Sequence, residues 1–81
     1  MEKIPPKEDA RFGPLRAMAE ENWREHSPKL VKLLEKQGNL EQRLDEATEN
    51  AILILNQCQE QGLAPDQARE LAYENLLQPT A

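Results

Sequence analysis

His26, Cys58 and a row of carboxylates are the side chains of this 81-residue chain whose types can hold a metal or attack a bond. His26 is the only histidine. It stands beside Ser27-Pro28, at the expected end of a helix, where an imidazole commonly bonds the last carbonyls. Cys58 is the only cysteine, so the chain can form no internal disulfide and no metal site made of thiolates alone. It falls on an apolar seam, which reads as a packed thiol rather than one half of a Cys58/His26 nucleophile pair. Glu41, Asp45 and Glu49 recur in steps of four and so share one helix face. Paired carboxylates can do acid–base or metal work, yet the Glu-x-x-His pattern of di-metal bundles is missing. An acidic face turned to water or to a basic partner is the expectation. We read no catalytic residue, no metal ligand and no cofactor site, and expect no enzyme.

Arg24, Lys29, Lys32 and Lys36 are the basic counterpart. The three lysines fall on one face of a short helix, where they can touch phosphates, an acidic partner or simply water. Through Gln37 the chain carries eight Lys or Arg against seven Asp or Glu; from Gly38 onward it carries two against eight. The net charge of −5 therefore resides in the second part. Backbone-phosphate binding needs clustered positive charge, so nucleic acid is not expected as the main partner. Nucleotide and single-strand readers also lack support, because no glycine-rich loop and no interleaved aromatic–basic pattern is present.

The elements that must position these residues follow from punctuation and period. Met1 to Gly13 carries Pro5 and Pro6 among mixed charges and is expected as a flexible arm, with Ile4 and Phe12 as its docking groups. Residues 14–78 form the single domain that a chain of this length allows. Pro14 suits a first helical turn, and Leu15, Met18, Ala19 and Trp23 share a face. That predicts a helix over 14–25, stopped by Pro28. Ser27-Pro28 opens a second helix over 28–37, ended by Gly38 in the left-handed conformation. Asn39 with Gln42 resembles a capping box for a third helix over 40–61, the longest. Gly62 ends it, and Pro65-Asp66 opens a fourth over 65–77, closed by Pro79. Trp23, Leu34, Leu44, Ile54 and Leu71 are expected in the core. The fold class is all-α: a small bundle of three to four helices around one long central helix.

Ala51–Leu55 is an uninterrupted apolar run, far short of the roughly 20 residues that span a bilayer. No apolar stretch near Met1 resembles a signal peptide, so a cytoplasmic setting is expected. The third helix carries Leu40, Leu44, Ala47, Ala51, Ile54 and Cys58 in alternating steps of four and three, a heptad-like seam. Ile52, Leu53 and Leu55 add apolar surface around it. With Glu41, Asp45 and Glu49 they make the candidate interface for a protein partner, including a second copy of the chain.

Pro14-Leu15-Arg16-Ala17-Met18-Ala19-Glu20-Glu21-Asn22-Trp23-Arg24-Glu25-His26-Ser27-Pro28, then a leucine-rich helix, Gly38-Asn39-Leu40 and the Leu40/Leu44 spacing resemble the TnpV-like, transposon-encoded small proteins of bacteria. The likeness extends from about Gly13 to Leu77. It implies a bacterial or mobile-element source and a helical fold. It implies no chemistry, and no functional residue is carried over. The expected function is a non-enzymatic helical protein–protein interaction module, with accessory nucleic-acid binding through the basic strip as the alternative.

Overall fold

Four helices and no strand make up the computed structural model, which describes residues 5–77 (apart from the side chain of Asn75). They are α1 (Phe12–His26), α2 (Pro28–Gln37), α3 (Leu40–Glu60) and α4 (Pro65–Leu77), preceded by a short 3-10 turn at Pro6–Glu8. Ile4 and Pro79, expected to dock the arm and to close the last helix, lie outside the described residues. From Pro5 on, the segment expected as a flexible arm is laid along α3. Helix α1 begins at Phe12, so Pro14 is its third residue and not its first. It still sits in the first turn, where the missing N–H leaves no bond unmade.

Two glycines set the turns. Gly38 has φ of 73° and Gly62 of 78°, the left-handed region that residues with a Cβ rarely adopt. At the first, the Gly38 N–H donates to Glu35 O at 3.1 Å and the Asn39 N–H to Leu34 O at 2.9 Å. At the second, the Gly62 N–H donates to Gln59 O at 3.1 Å and the Leu63 N–H to Cys58 O at 3.0 Å. Both helices thus end in the same paired 5→2 and 6→1 bonds, which satisfy carbonyls left over at a helix end. The capping box does not form. Asn39 has φ of −108° and ψ of −2°, held there as the closing residue of the preceding turn. A side-chain cap favours an extended backbone at that position. Gln42 turns outward and donates its Nε2 to Glu46 Oε1 at 3.2 Å. Ser27 likewise makes no side-chain cap.

Helix α3, with 21 residues, is the spine, and α1, α2 and α4 all pack on it. Leu44, Thr48, Ala51 and Ile52 are its most deeply buried residues, so the centre of the core lies before Ile54. Ile54 itself is half-buried. Thr48 is tolerated because its Oγ1 donates to Leu44 O at 2.7 Å. Leu15, Ala19 and Trp23 of α1 and Val31 and Leu34 of α2 complete the core from one side. Trp23, Leu34 and Leu44 are buried as expected.

Leu71 is not. It is 45% exposed, because α4 meets α3 along Ala68, Ala72 and Leu76, a stripe in steps of four. Leu71 is one residue off that stripe, roughly 100° around the helix at 3.6 residues per turn. The two alanines let the α3 and α4 backbones approach closely, and a leucine facing inward would hold them apart. At the far end of α4, the Trp23 Nε1–H donates to Leu76 O at 3.0 Å, pinning α4 to α1 with a buried bond.

Candidate interaction surface

The acidic row of α3 is covered by the chain's own cations. Arg16 of α1 donates Nε to Asp45 Oδ1 at 2.8 Å, pairs with Glu41 through Nη2, and lies 3.9 Å from Glu20. Lys7 of the 3-10 segment stands 3.6 Å from Glu49. The hydrogen bond that Arg16 donates to Asp45 raises the guanidinium pKa above its ordinary value. Glu41, Asp45 and Glu49 thus have Arg16 and Lys7 as partners within the chain, while the Glu41 side chain stays 78% exposed to water. The i,i+4 repulsion that a bare row would suffer is relieved by the packing of α1 and the arm.

The expectation for Ile52 is corrected. It is 1% exposed and belongs to the core, so no partner can reach it. Of the other two apolar candidates, Leu53 is 49% exposed and Leu55 is half-buried. The reason is angular: Leu53 falls between Glu49 and Gln57 on the outer side of α3, whereas Ile52 and Leu55 turn toward the flanking elements.

The basic strip divides. Arg24 donates to Glu20 at 3.1 Å and to Glu35 at 3.3 Å, and so joins α1 to α2. Lys29, Lys32 and Lys36 remain on the outside of α2 and make no ion pair among the described residues. His26 is exposed at the end of α1 and Cys58 is buried in α3, and the two share no described contact. No group of three His, Cys, Asp or Glu side chains is gathered for a metal ion among the described residues. No helix among them is long and apolar enough to cross a membrane.

An open groove lies elsewhere, where the start of α1, the end of α3 and the start of α4 converge. It encloses about 520 Å³, within the range of roughly 300–1,000 Å³ that suits a bound group. Leu15 and Ala68 are its buried floor, Leu55 and Tyr73 its half-buried walls, and Leu63 an exposed lip. Its polar lining is Arg11, Arg69 and Gln59, with no carboxylate. A second, shallow depression of about 530 Å³ on the outside of α4 shares Arg69 and Tyr73 and is flanked by Asp66, Glu70 and Glu74.

Arg11 is held in place. Its Nε and Nη2 donate to the two oxygens of Asp9 at 2.9 and 2.8 Å, and Nη2 also to Asn56 Oδ1 at 2.9 Å. Asp9 also accepts the Arg11 backbone N–H at 2.8 Å. These bonds from Arg11 lower the Asp9 carboxyl pKa to about 2. The Nη1 donors of Arg11 carry none of these bonds. Among the described residues, Arg69 has Asp66, at 3.7 Å, as its ion-pair partner.

The periodicity of the sequence does not reveal this groove. Its lining comes from three stretches, residues 10–15, 55–63 and 65–73, which only the α3–α4 hairpin and the docked arm bring together. Leu63 follows the glycine stop at Gly62, where a hydrophobic residue is common, and nothing in that spacing marks it as the lip of a groove. No known protein family, curated protein or solved structure matches the chain.

Proposed function

We propose that this chain is a non-enzymatic helical module that docks a protein partner in the groove between α1, α3 and α4. The observation that carries the reading is the groove itself: apolar walls at Leu55, Leu63 and Tyr73 that the chain's described residues leave open. Among the described residues, Lys7 of the arm stands beside Glu49, and Leu76 near the end of α4 stands beside Trp23. An apolar surface of this kind in a small domain is a common mark of a partner site. The acidic row, by contrast, is engaged within the molecule and offers little. A cytoplasmic setting and a bacterial or mobile-element source, by resemblance to the TnpV-like proteins, belong to the same proposal.

Affinity capture with three forms of the chain tests it. A partner retained by the wild type and by Leu53→Glu, but lost with Leu63→Glu, is the expected result. Loss with Leu53→Glu alone moves the docking surface to the outside of α3, where a second copy of the chain is the natural occupant.

The nucleic-acid alternative rests on one observation, the unpaired Lys29, Lys32 and Lys36 on α2. Three exposed lysines give a weak electrostatic footprint in a chain of net charge −5. A salt-sensitive gel shift abolished by changing all three to glutamate would favour it over docking in the groove.

A further inference from the structure

The chemistry of the groove's rim points to a particular kind of partner. We infer that the groove receives an acidic amphipathic helix, with leucine-like side chains on the apolar floor and carboxylates on Arg11 and Arg69. The inference rests on the docking reading above and adds the partner's charge to it.

Three features carry it. First, the second part of the chain is strongly acidic, yet among the described residues the charged groups lining this groove are Arg11 and Arg69, with their partners Asp9 and Asp66 outside the lining. Second, both guanidiniums sit at the rim and not in the floor. Their side chains are 42% and 57% exposed, while Leu15 and Ala68 beneath them are buried. An apolar base with cations above it matches a helix whose apolar stripe is bordered by Asp or Glu. Third, Arg11 is fixed before any partner arrives. Asp9 and Asn56 hold Nε and Nη2, none of these bonds uses Nη1, and a guanidinium already ordered loses less freedom on binding a carboxylate. Arg69 lacks this restraint and supplies reach.

The net charge of −5 opposes an acidic partner at long range. That repulsion is screened beyond about 8 Å at physiological salt, so the contacts at the rim decide.

The probe is a capped helical peptide with leucines at i, i+4 and i+7 on one face, bordered by glutamates. Its twin carries lysine at every glutamate position. Each is titrated into the isotope-labelled full chain and followed by backbone amide shifts. The acidic peptide should move the signals of Leu55, Leu63 and Tyr73, and the basic twin should bind about tenfold more weakly. Arg69→Gln should weaken the acidic peptide roughly three- to fivefold and leave the twin unchanged or tighter. Equal binding of both peptides at these residues overturns the charge assignment and leaves docking in the groove intact. No shift at these residues with either peptide at millimolar concentration overturns both. Arg69→Gln changes an exposed residue outside the core, so an unchanged spectrum away from the groove shows that the variant is folded.

Discussion

Ile52 and Leu53 are neighbours in one apolar run, and truncating each to alanine should give very different results. Ile52 is 1% exposed and Leu53 49%. Ile52→Ala removes buried carbon against a packed surround that can close only in part, at a cost of roughly 2–5 kcal/mol. A domain of this size has about 5–15 kcal/mol in total, and a small one lies toward the lower end. At about 4–8 °C per kcal/mol, the melting temperature should fall by at least about 8 °C, and a loss near 5 kcal/mol would unfold the variant. Leu53→Ala changes a surface position, worth within about 0.5 kcal/mol, so its shift should stay under about 4 °C. Thermal unfolding followed by circular dichroism at 222 nm reads both. Equal shifts for the two variants would refute the placement of α3 that puts Ile52 inside and Leu53 outside.

Arg16→Ala leaves Glu41 and Asp45 without their shared cation and should lower stability by about 1 kcal/mol, less in high salt, as read by urea denaturation. Trp23→Phe strands the Leu76 carbonyl in the interior and should cost roughly 1–3 kcal/mol, with faster amide exchange along the end of α4. The Asp9 carboxyl has a lowered folded-state pKa, about 2 against an ordinary 3.8, so the stability it adds is present above its unfolded value and lost as pH falls from 3.8 toward 2. The arm should therefore loosen over that interval, and Asp9→Asn should remove this part of the pH dependence; amide exchange at residues 8–12 measures it. With Ile52 internal, pairing of two copies through α3 would lack an apolar contact the sequence offered for it, and sedimentation equilibrium at tens of micromolar should give a mass near 9.3 kDa.

Helix boundaries were readable because proline and glycine act locally. Pro28, Gly38, Gly62 and Pro65 each fix a turn through backbone sterics alone, and α2 runs from Pro28 to Gln37 as expected. The inner faces were less so. A helical wheel gives relative angles but not the direction of the neighbour, and the choice of Ala68, Ala72 and Leu76 over Leu71 is made by how closely α4 can approach α3. The charged rows show the same limit. Glu41, Asp45 and Glu49 form one face in any helix, yet their partners Arg16 and Lys7 lie 25 or more residues earlier in the chain, and only the tertiary fold brings them together. The groove was the least legible feature, since no one of its three segments carries a pattern for it.

Site-specific photo-crosslinking tests the docking account most directly. A photoreactive residue in place of Gln59 lies in the groove, and one in place of Glu25 lies on the exposed side of α1. The account predicts that Gln59 captures one defined protein, displaced by unlabelled wild type but not by Leu63→Glu, while Glu25 captures none of it. Capture from Glu25 equal to that from Gln59, or displacement by Leu63→Glu as effective as by wild type, would contradict it.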